Sequence, residues 1–350
     1  MNHIFTNQYI AGFALALLSS WLLTGVMRKI ALAIDITDKP DGERKSQREP
    51  VPYLGGLGIM LSLLLTILIG VSFQNVTPET RTDIIFLILP ATILGLVGLW
   101  DDIKNLTPHF RLMIQVIMGL AGSLTITFGS TSGSATGNDT LDLLLSIFWI
   151  VGITNAINFF DNIDGGAAVA SFMTAMGTLV YGLLTNQPYI AGFSVILAGS
   201  LVGFFIWNRR PARIYMGDAG SLFLGTLLAS ITIRINPETD TKLSSLALPI
   251  LFLALPILDT SVVVINRLVR GISPLQGGQD HLSHRLALKG LRHRYILYFF
   301  AIVAGVFQLP VFASLYLNDT QELIAIFLAG TLFVIAFLFF SRLPIVNARK

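Results

Sequence analysis

The chain has 350 residues, 53% hydrophobic and only 12% charged, with a mean hydropathy of +0.73, which places it among integral membrane proteins and excludes an ordinary soluble domain. It contains no cysteine, so disulfides and thiolate metal sites are excluded and any metal must be held by oxygen or imidazole. The net charge of +3, with no Lys/Arg run interleaved with exposed aromatics, excludes a nucleic-acid footprint and reads as membrane topology.

A helical span needs about 20 apolar residues. Eleven segments qualify: 8–27, 53–73, 83–100, 111–128, 141–160, 166–184, 189–207, 219–235, 244–266, 295–316 and 321–340. The first has no basic region before it and no small-residue cleavage site after it, so it reads as a retained span. The expected fold is all-α and polytopic, one membrane domain over 1–350. With the N-terminus outside, the segments 28–52, 101–111, 161–165, 208–218, 267–294 and the tail from Ser341 fall in the cytoplasm. Together they hold 20 of the 23 Lys and Arg, leaving Arg81, Arg234 and Lys242 outside. That asymmetry sets the orientation.

The chemistry-bearing residues gather in those cytoplasmic loops. In 28–52, Arg44 and Lys45 are adjacent cations beside the bilayer, suited to a lipid phosphate or to plain inside charge. Asp101 and Asp102 end the third span; adjacent carboxylates repel, so the pair is solvated or associated with a cation. Arg111, just after, reads as an interfacial anchor.

Asn155, Asn158, Asp161 and Asp164 recur every three residues. Each step of three falls about 60° short of a full turn, so all four cannot share one helix face. Neighbours in the set can meet, and an unwound end near Gly165-Gly166 would bring the last two together. Polar groups at the end of an apolar span favour a site over a plain terminus.

Glycines flank Asp218 in Met216-Gly217-Asp218-Ala219-Gly220-Ser221, letting backbone approach a ligand where the next helix begins. Asp259 lies inside the ninth span, as a functional acid or as a buried partner to a neighbouring helix. In Asp280-His281-Leu282-Ser283-His284-Arg285 the imidazoles at i and i+3 can share a face, beside an arginine able to grip phosphate.

In this order, DKPDGERKSQREPVPYLGG (38–56), GLWDDIKNLTPHFRLMIQ (98–115), NAINFFDNIDGGAA (155–168), PARIYMGDAGSLFLG (211–225), PILDTSVVVINRLVRGISP (256–274) and DHLSHRL (280–286) resemble the polyprenyl-phosphate N-acetylhexosamine-1-phosphate transferase family. The resemblance covers about 250 of the 350 residues and is closer to the N-acetylglucosamine branch, through Arg285-Leu286, than to the muramoyl-pentapeptide branch. It implies that undecaprenyl phosphate attacks the β-phosphorus of UDP-N-acetylglucosamine, releasing UMP and starting a lipid-linked cell-envelope glycan. It also implies Mg²⁺ (or Mn²⁺) dependence and an active site on the cytoplasmic face of a bacterial inner membrane, with room for a homodimer.

By position, Asp101 and Asp102 match the family's acidic pair, Asp101 as base or lipid-phosphate orienter and Asp102 as a second catalytic or metal-binding acid. Asp218 matches the principal metal ligand. Asp161 and Asp164 match a third acidic block, with Asn158 beside them as a substrate contact. His281, His284 and Arg285 match the block for catalysis and nucleotide-sugar binding, and Lys45 a lipid-phosphate contact. Departures are Ser283 and Gln47 where histidine is usual, Asn162 where glycine is usual, and Tyr53 where arginine is frequent. The alternatives are another UDP-N-acetylhexosamine or UDP-N-acetylmuramoyl-pentapeptide as donor, or a secondary transporter, which would carry its charges at mid-bilayer.

Overall fold

In lipid a helix satisfies its own backbone polar groups, so each apolar run is driven into one. The computed structural model describes residues 3–38, 50–73, 76–127, 136–237, 242–274 and 276–345. Its helices are, in chain order, α1 (His3–Ala33), α2 (Gly55–Phe73), α3 (Pro78–Lys104), α4 (Pro108–Thr127), α5 (Asp139–Phe160), α6 (Gly166–Leu184), α7 (Pro188–Asn208), α8 (Gly217–Ile233), α9 (Lys242–Phe252), α10 (Ala254–Val269), α11 (Leu282–Leu288), α12 (His293–Ser314) and α13 (Asp319–Ser341). Two-residue strands β1 (Thr37–Asp38) and β2 (Val51–Pro52) pair antiparallel, Thr37 opposite Pro52 and Asp38 opposite Val51. Tyr53 Oη donates to Asp38 Oδ1 at 2.7 Å across this clip. The intervening 39–49, and with it Lys45, lies outside the described residues.

The fold is all-α apart from that clip, and each expected span falls on helix. Among the described residues, eight helices are long and apolar enough to cross a membrane, or nine if α9 and α10 form one bent span. That criterion reaches fewer than the expected eleven; α8, a 17-residue apolar helix, falls just below its length. The segment 244–266 is not straight: α9 and α10 meet at 81°. Pro256 has no N–H to return to the carbonyl of Phe252, and Thr174 Oγ1 donates to that oxygen instead, at 2.9 Å. A proline thus breaks the helix, and a hydroxyl from α6 satisfies the freed group.

The core is built around α8, a 17-residue helix buried from Ala219 through Thr232. A helix apolar all round suits either lipid or protein, and α8 is surrounded by protein. Small residues let its neighbours come close: Thr154 and Thr226 share a hydroxyl hydrogen bond of 3.0 Å between α5 and α8. At Gly56, an added Cβ would collide with the backbone of Gly220, so α2 can start there only as glycine. Backbone bonds from Gly55 N to Tyr215 O (3.0 Å), Gly56 N to Met216 O (2.9 Å) and Tyr215 N to Pro52 O (2.8 Å) join the start of α2 to the entry of α8.

Candidate active site

The first turn of α8 carries free backbone N–H groups, an electropositive end that attracts a carboxylate. Asp102, near the end of α3, supplies it: Oδ1 accepts from Asp218 N at 2.9 Å and Oδ2 from Ala219 N at 3.1 Å. Gly217 has φ +71, and an added Cβ would sit 2.7 Å from Asp102 Oδ2. Both backbone conformation and space therefore require glycine before Asp218.

Asp101 points elsewhere. Its Oδ1 accepts from Leu106 N at 2.6 Å, across a turn in which Asn105 takes φ +52 and ends α3. Its Oδ2 accepts a short hydrogen bond from Arg111 Nη1 in α4. The same nitrogen donates to Asp218 Oδ2 at 2.7 Å. Asp218 Oδ1 accepts from Asn158 Nδ2 at 2.7 Å, and that amide also reaches Ser221 Oγ at 2.8 Å. Arg111 is therefore no interfacial anchor; it is a guanidinium shared by two carboxylates. Its side chain is 27% exposed and that of Asp218 29%, so the pair remains open to a ligand.

The three-residue repeat separates as helix geometry requires. Asn155 pairs with Gln115 of α4, its Nδ2 donating to Oε1 at 2.6 Å. Asn158 serves Asp218, and Asp161 lies beyond the last turn of α5. Burial pushes the Asp161 carboxyl up to about 7, reinforced by the like charges of Asp102 and Asp164. Asp164 Oδ2 accepts from Ala212 N at 3.2 Å, tying this loop to the one that leads into α8.

The imidazole block lies against the other side of the same segment. Ser283 Oγ donates a short hydrogen bond to Asn162 Oδ1, and Phe159 meets His281 edge to face at 6.3 Å. His281 precedes α11, its ring 5.9 Å from that of His284. Burial, then the neighbouring His281, bring the His284 imidazole down to about 4, so it is neutral at physiological pH. Burial works to raise the Asp280 carboxyl, but the hydrogen bonds and charge of Arg267 hold it below its ordinary value, with His281 and Arg270 adding to the effect.

Arg285 departs from its expected role. It is 1% exposed, donating through Nε to Asp280 O at 2.8 Å and through Nη1 to Phe340 O at 2.9 Å and Leu343 O at 3.0 Å. A guanidinium spent on the carbonyls ending α13 anchors α11 rather than gripping a phosphate. Asp101, Asp102, Asn158 and Asp218 converge directly, and Asp161 lies within electrostatic reach of Asp102. His281 and His284 join them through the Asn162–Ser283 contact. The partners of Arg111 lie 10 and 107 residues away, so sequence spacing does not reveal them. A basic residue close behind an acidic pair was the only signal for it.

Among the described residues no three His, Asp or Glu side chains form a ready metal cage. Magnesium, however, is ordinarily held by one or two carboxylates and completed by substrate phosphate and water. Asp101 and Asp218 already share one cationic group, Arg111, so the donor set suits a divalent ion completed by substrate.

The glycosyl transferase family 4 profile matches residues 84–236, the stretch carrying Asp101, Asp102, Arg111, Asn158, Asp161 and Asp218. The chain is 30% identical over 308 residues to a probable undecaprenyl-phosphate N-acetylglucosaminyl 1-phosphate transferase of Bacillus subtilis, covering 86% of this chain and 84% of that protein. It is 29% identical over 337 residues to the decaprenyl-phosphate N-acetylglucosaminephosphotransferase of Mycolicibacterium smegmatis, covering 87% and 82%. A phospho-N-acetylmuramoyl-pentapeptide-transferase of Limosilactobacillus reuteri is 30% identical over 249 residues, covering 64% and 75%. Similarity across most of both chains, on a helical frame that gathers the matched acids at one end of α8, makes this chain a member of glycosyl transferase family 4, the polyprenyl-phosphate phosphosugar-1-phosphate transferases.

Proposed function

We propose that the chain transfers N-acetylglucosamine-1-phosphate from UDP-N-acetylglucosamine to undecaprenyl phosphate at the cytoplasmic face of a bacterial membrane. A lipid-phosphate oxygen forms the new bond to the β-phosphorus, the bond from that phosphorus to the bridging oxygen breaks, and UMP leaves with that oxygen. The observation that carries this reading is Arg111 held between Asp101 and the half-open Asp218, at the mouth of a buried helix. Arriving phosphate competes with those carboxylates for the guanidinium, which meets charge with a preoriented donor.

A divalent ion held by Asp218 and Asp101, or by Asp102 through its remaining lone pairs, would supply charge neutralisation between the two phosphates. In the chain itself, Asp101 orients Arg111, Asn158 orients Asp218, and Asp102 fixes the backbone of Asp218 and Ala219. Burial raises the Asp161 carboxyl to about 7, a value that suits it to accept a proton from the lipid phosphate. The basic loops suit a cytoplasmic anionic surface.

The test uses purified protein, undecaprenyl phosphate, Mg²⁺ and a panel of UDP-sugars, with UMP release and lipid products resolved by mass. UMP release with a lipid-diphosphate N-acetylglucosamine is the expected result. Turnover only with another hexosamine, or with UDP-N-acetylmuramoyl-pentapeptide, overturns the donor assignment. Sugar uptake into vesicles without UMP release overturns the reaction.

A further inference from the structure

Asp259 is the one acid set in the middle of α10, and it is fully buried. A carboxylate there is tolerated only if its oxygens are satisfied. Each has a partner from the segment that opens α11. Oδ2 lies 2.7 Å from His281 Nδ1, and Oδ1 accepts from Leu282 N at 2.7 Å. One side chain therefore fixes both the backbone at the start of α11 and the ring of the residue before it. The ring is further confined by the edge-to-face contact with Phe159 and by His284. Asp280, the adjacent acid, is engaged by Arg267 at 2.5 and 2.9 Å, leaving the imidazole to Asp259.

We infer that Asp259 is a positioning residue for phosphosugar transfer: it holds Nδ1 of His281 toward the protein interior, so that Nε2 is the only ring nitrogen available to substrate phosphate. The inference rests on the transferase reading above. With Nδ1–H donated to a carboxylate, neutral His281 carries its lone pair on Nε2; protonated His281 has an Nε2–H donor in the same place. In either state one atom is presented along one direction, the preorganisation that phosphoryl transfer uses. A purely structural Asp259 would fix the same tautomer through this contact, and its replacement would change the ring's protonation without changing kcat.

The experiment compares wild type with Asp259→Asn, His281→Ala and the double variant, together with ¹⁵N spectra of histidine-labelled protein. Only five histidines are present, so loss of one signal in His281→Ala assigns the resonance. In Asp259→Asn, the amide oxygen can keep Leu282 N–H while its NH₂ faces Nδ1, which forces the Nε2–H tautomer. The expected result is an Nδ1-protonated His281 in wild type and an Nε2-protonated one in the variant. The kcat for UMP release should fall at least tenfold while KM for both substrates stays within threefold. The double variant should be no slower than His281→Ala alone.

Wild-type kcat in folded Asp259→Asn, or losses that multiply in the double variant, overturn the inference. If Asp259→Asn does not fold, the wild-type spectrum still tests the premise: a neutral His281 protonated at Nε2 alone overturns the inference. If wild type releases no UMP from any UDP-sugar, the transferase reading fails, and the spectra still show whether Asp259 sets the tautomer.

Discussion

The carboxylate of Asp102 accepts the backbone N–H groups of Asp218 and Ala219 at 2.9 and 3.1 Å, so one acid of α3 builds the turn that presents the acid of α8. Its neighbour Asp101 points to Arg111 instead. Of two residues adjacent in sequence, one holds the start of α8 and the other holds Arg111, because successive helix positions are turned about 100° apart.

Replacing Asp102 by Ala leaves two N–H groups at the start of α8 without their acceptor. Stability should fall by about 1–3 kcal/mol, and UMP release should be lost. Asp102→Asn, which keeps one acceptor, should recover most of the stability but not the activity. Thermal unfolding in detergent beside the UMP assay separates the two effects.

Arg111→Ala removes the cation shared by Asp101 and Asp218. Facing carboxylates then favour an added cation. Mg²⁺ should therefore raise the melting temperature of the variant more than that of wild type, while turnover drops at least a hundredfold. Chelation with EDTA should abolish wild-type UMP release. An equal Mg²⁺ response in both proteins would count against metal binding at this pair.

The Asp161 carboxyl is raised to about 7 from an ordinary value near 4. Between those values the folded protein binds the proton that the unfolded chain has released. Asp161 therefore favours the folded state most below pH 4, and that contribution declines as pH rises through 7. Asp161→Asn should melt higher than wild type at pH 8, keep a smaller advantage at pH 5 and lose it below pH 4. A difference independent of pH would mean the carboxyl is not perturbed.

Asn162 and Ser283 lie 121 residues apart and share a hydrogen bond. A double-mutant cycle with Asn162→Gly and Ser283→Ala should give a coupling of about 1 kcal/mol in stability. Additive effects would show that the contact does not join the loops.

Arg285→Ala should behave as a packing mutation. It strands the carbonyls of Phe340 and Leu343 and should lower stability by about 3 kcal/mol. In the folded fraction, KM for the UDP-sugar should stay within twofold. A large rise in KM without loss of stability would restore a phosphate-binding role.

Membrane class, the all-α architecture and the boundaries of the apolar runs were determined by the sequence alone, since hydropathy over about 20 residues is a local property. The candidate acids were legible for a related reason: Asp101, Asp102, Asp161 and Asp218 are polar groups at the ends of apolar segments, conspicuous in one dimension. The span count was less so. The bend between α9 and α10 and the burial of α8 depend on neighbouring helices, and hydropathy does not distinguish lipid from protein as an apolar surrounding. Only the tertiary structure decided what each polar side chain faces. It turned Arg111 from an anchor into a bridge, Arg285 from a phosphate clamp into a helix anchor, and Asp259 into the partner of His281. Hydrogen bonds act over about 3 Å in space and carry no trace of sequence separation, so partners supplied by different helices become visible only once those helices have packed.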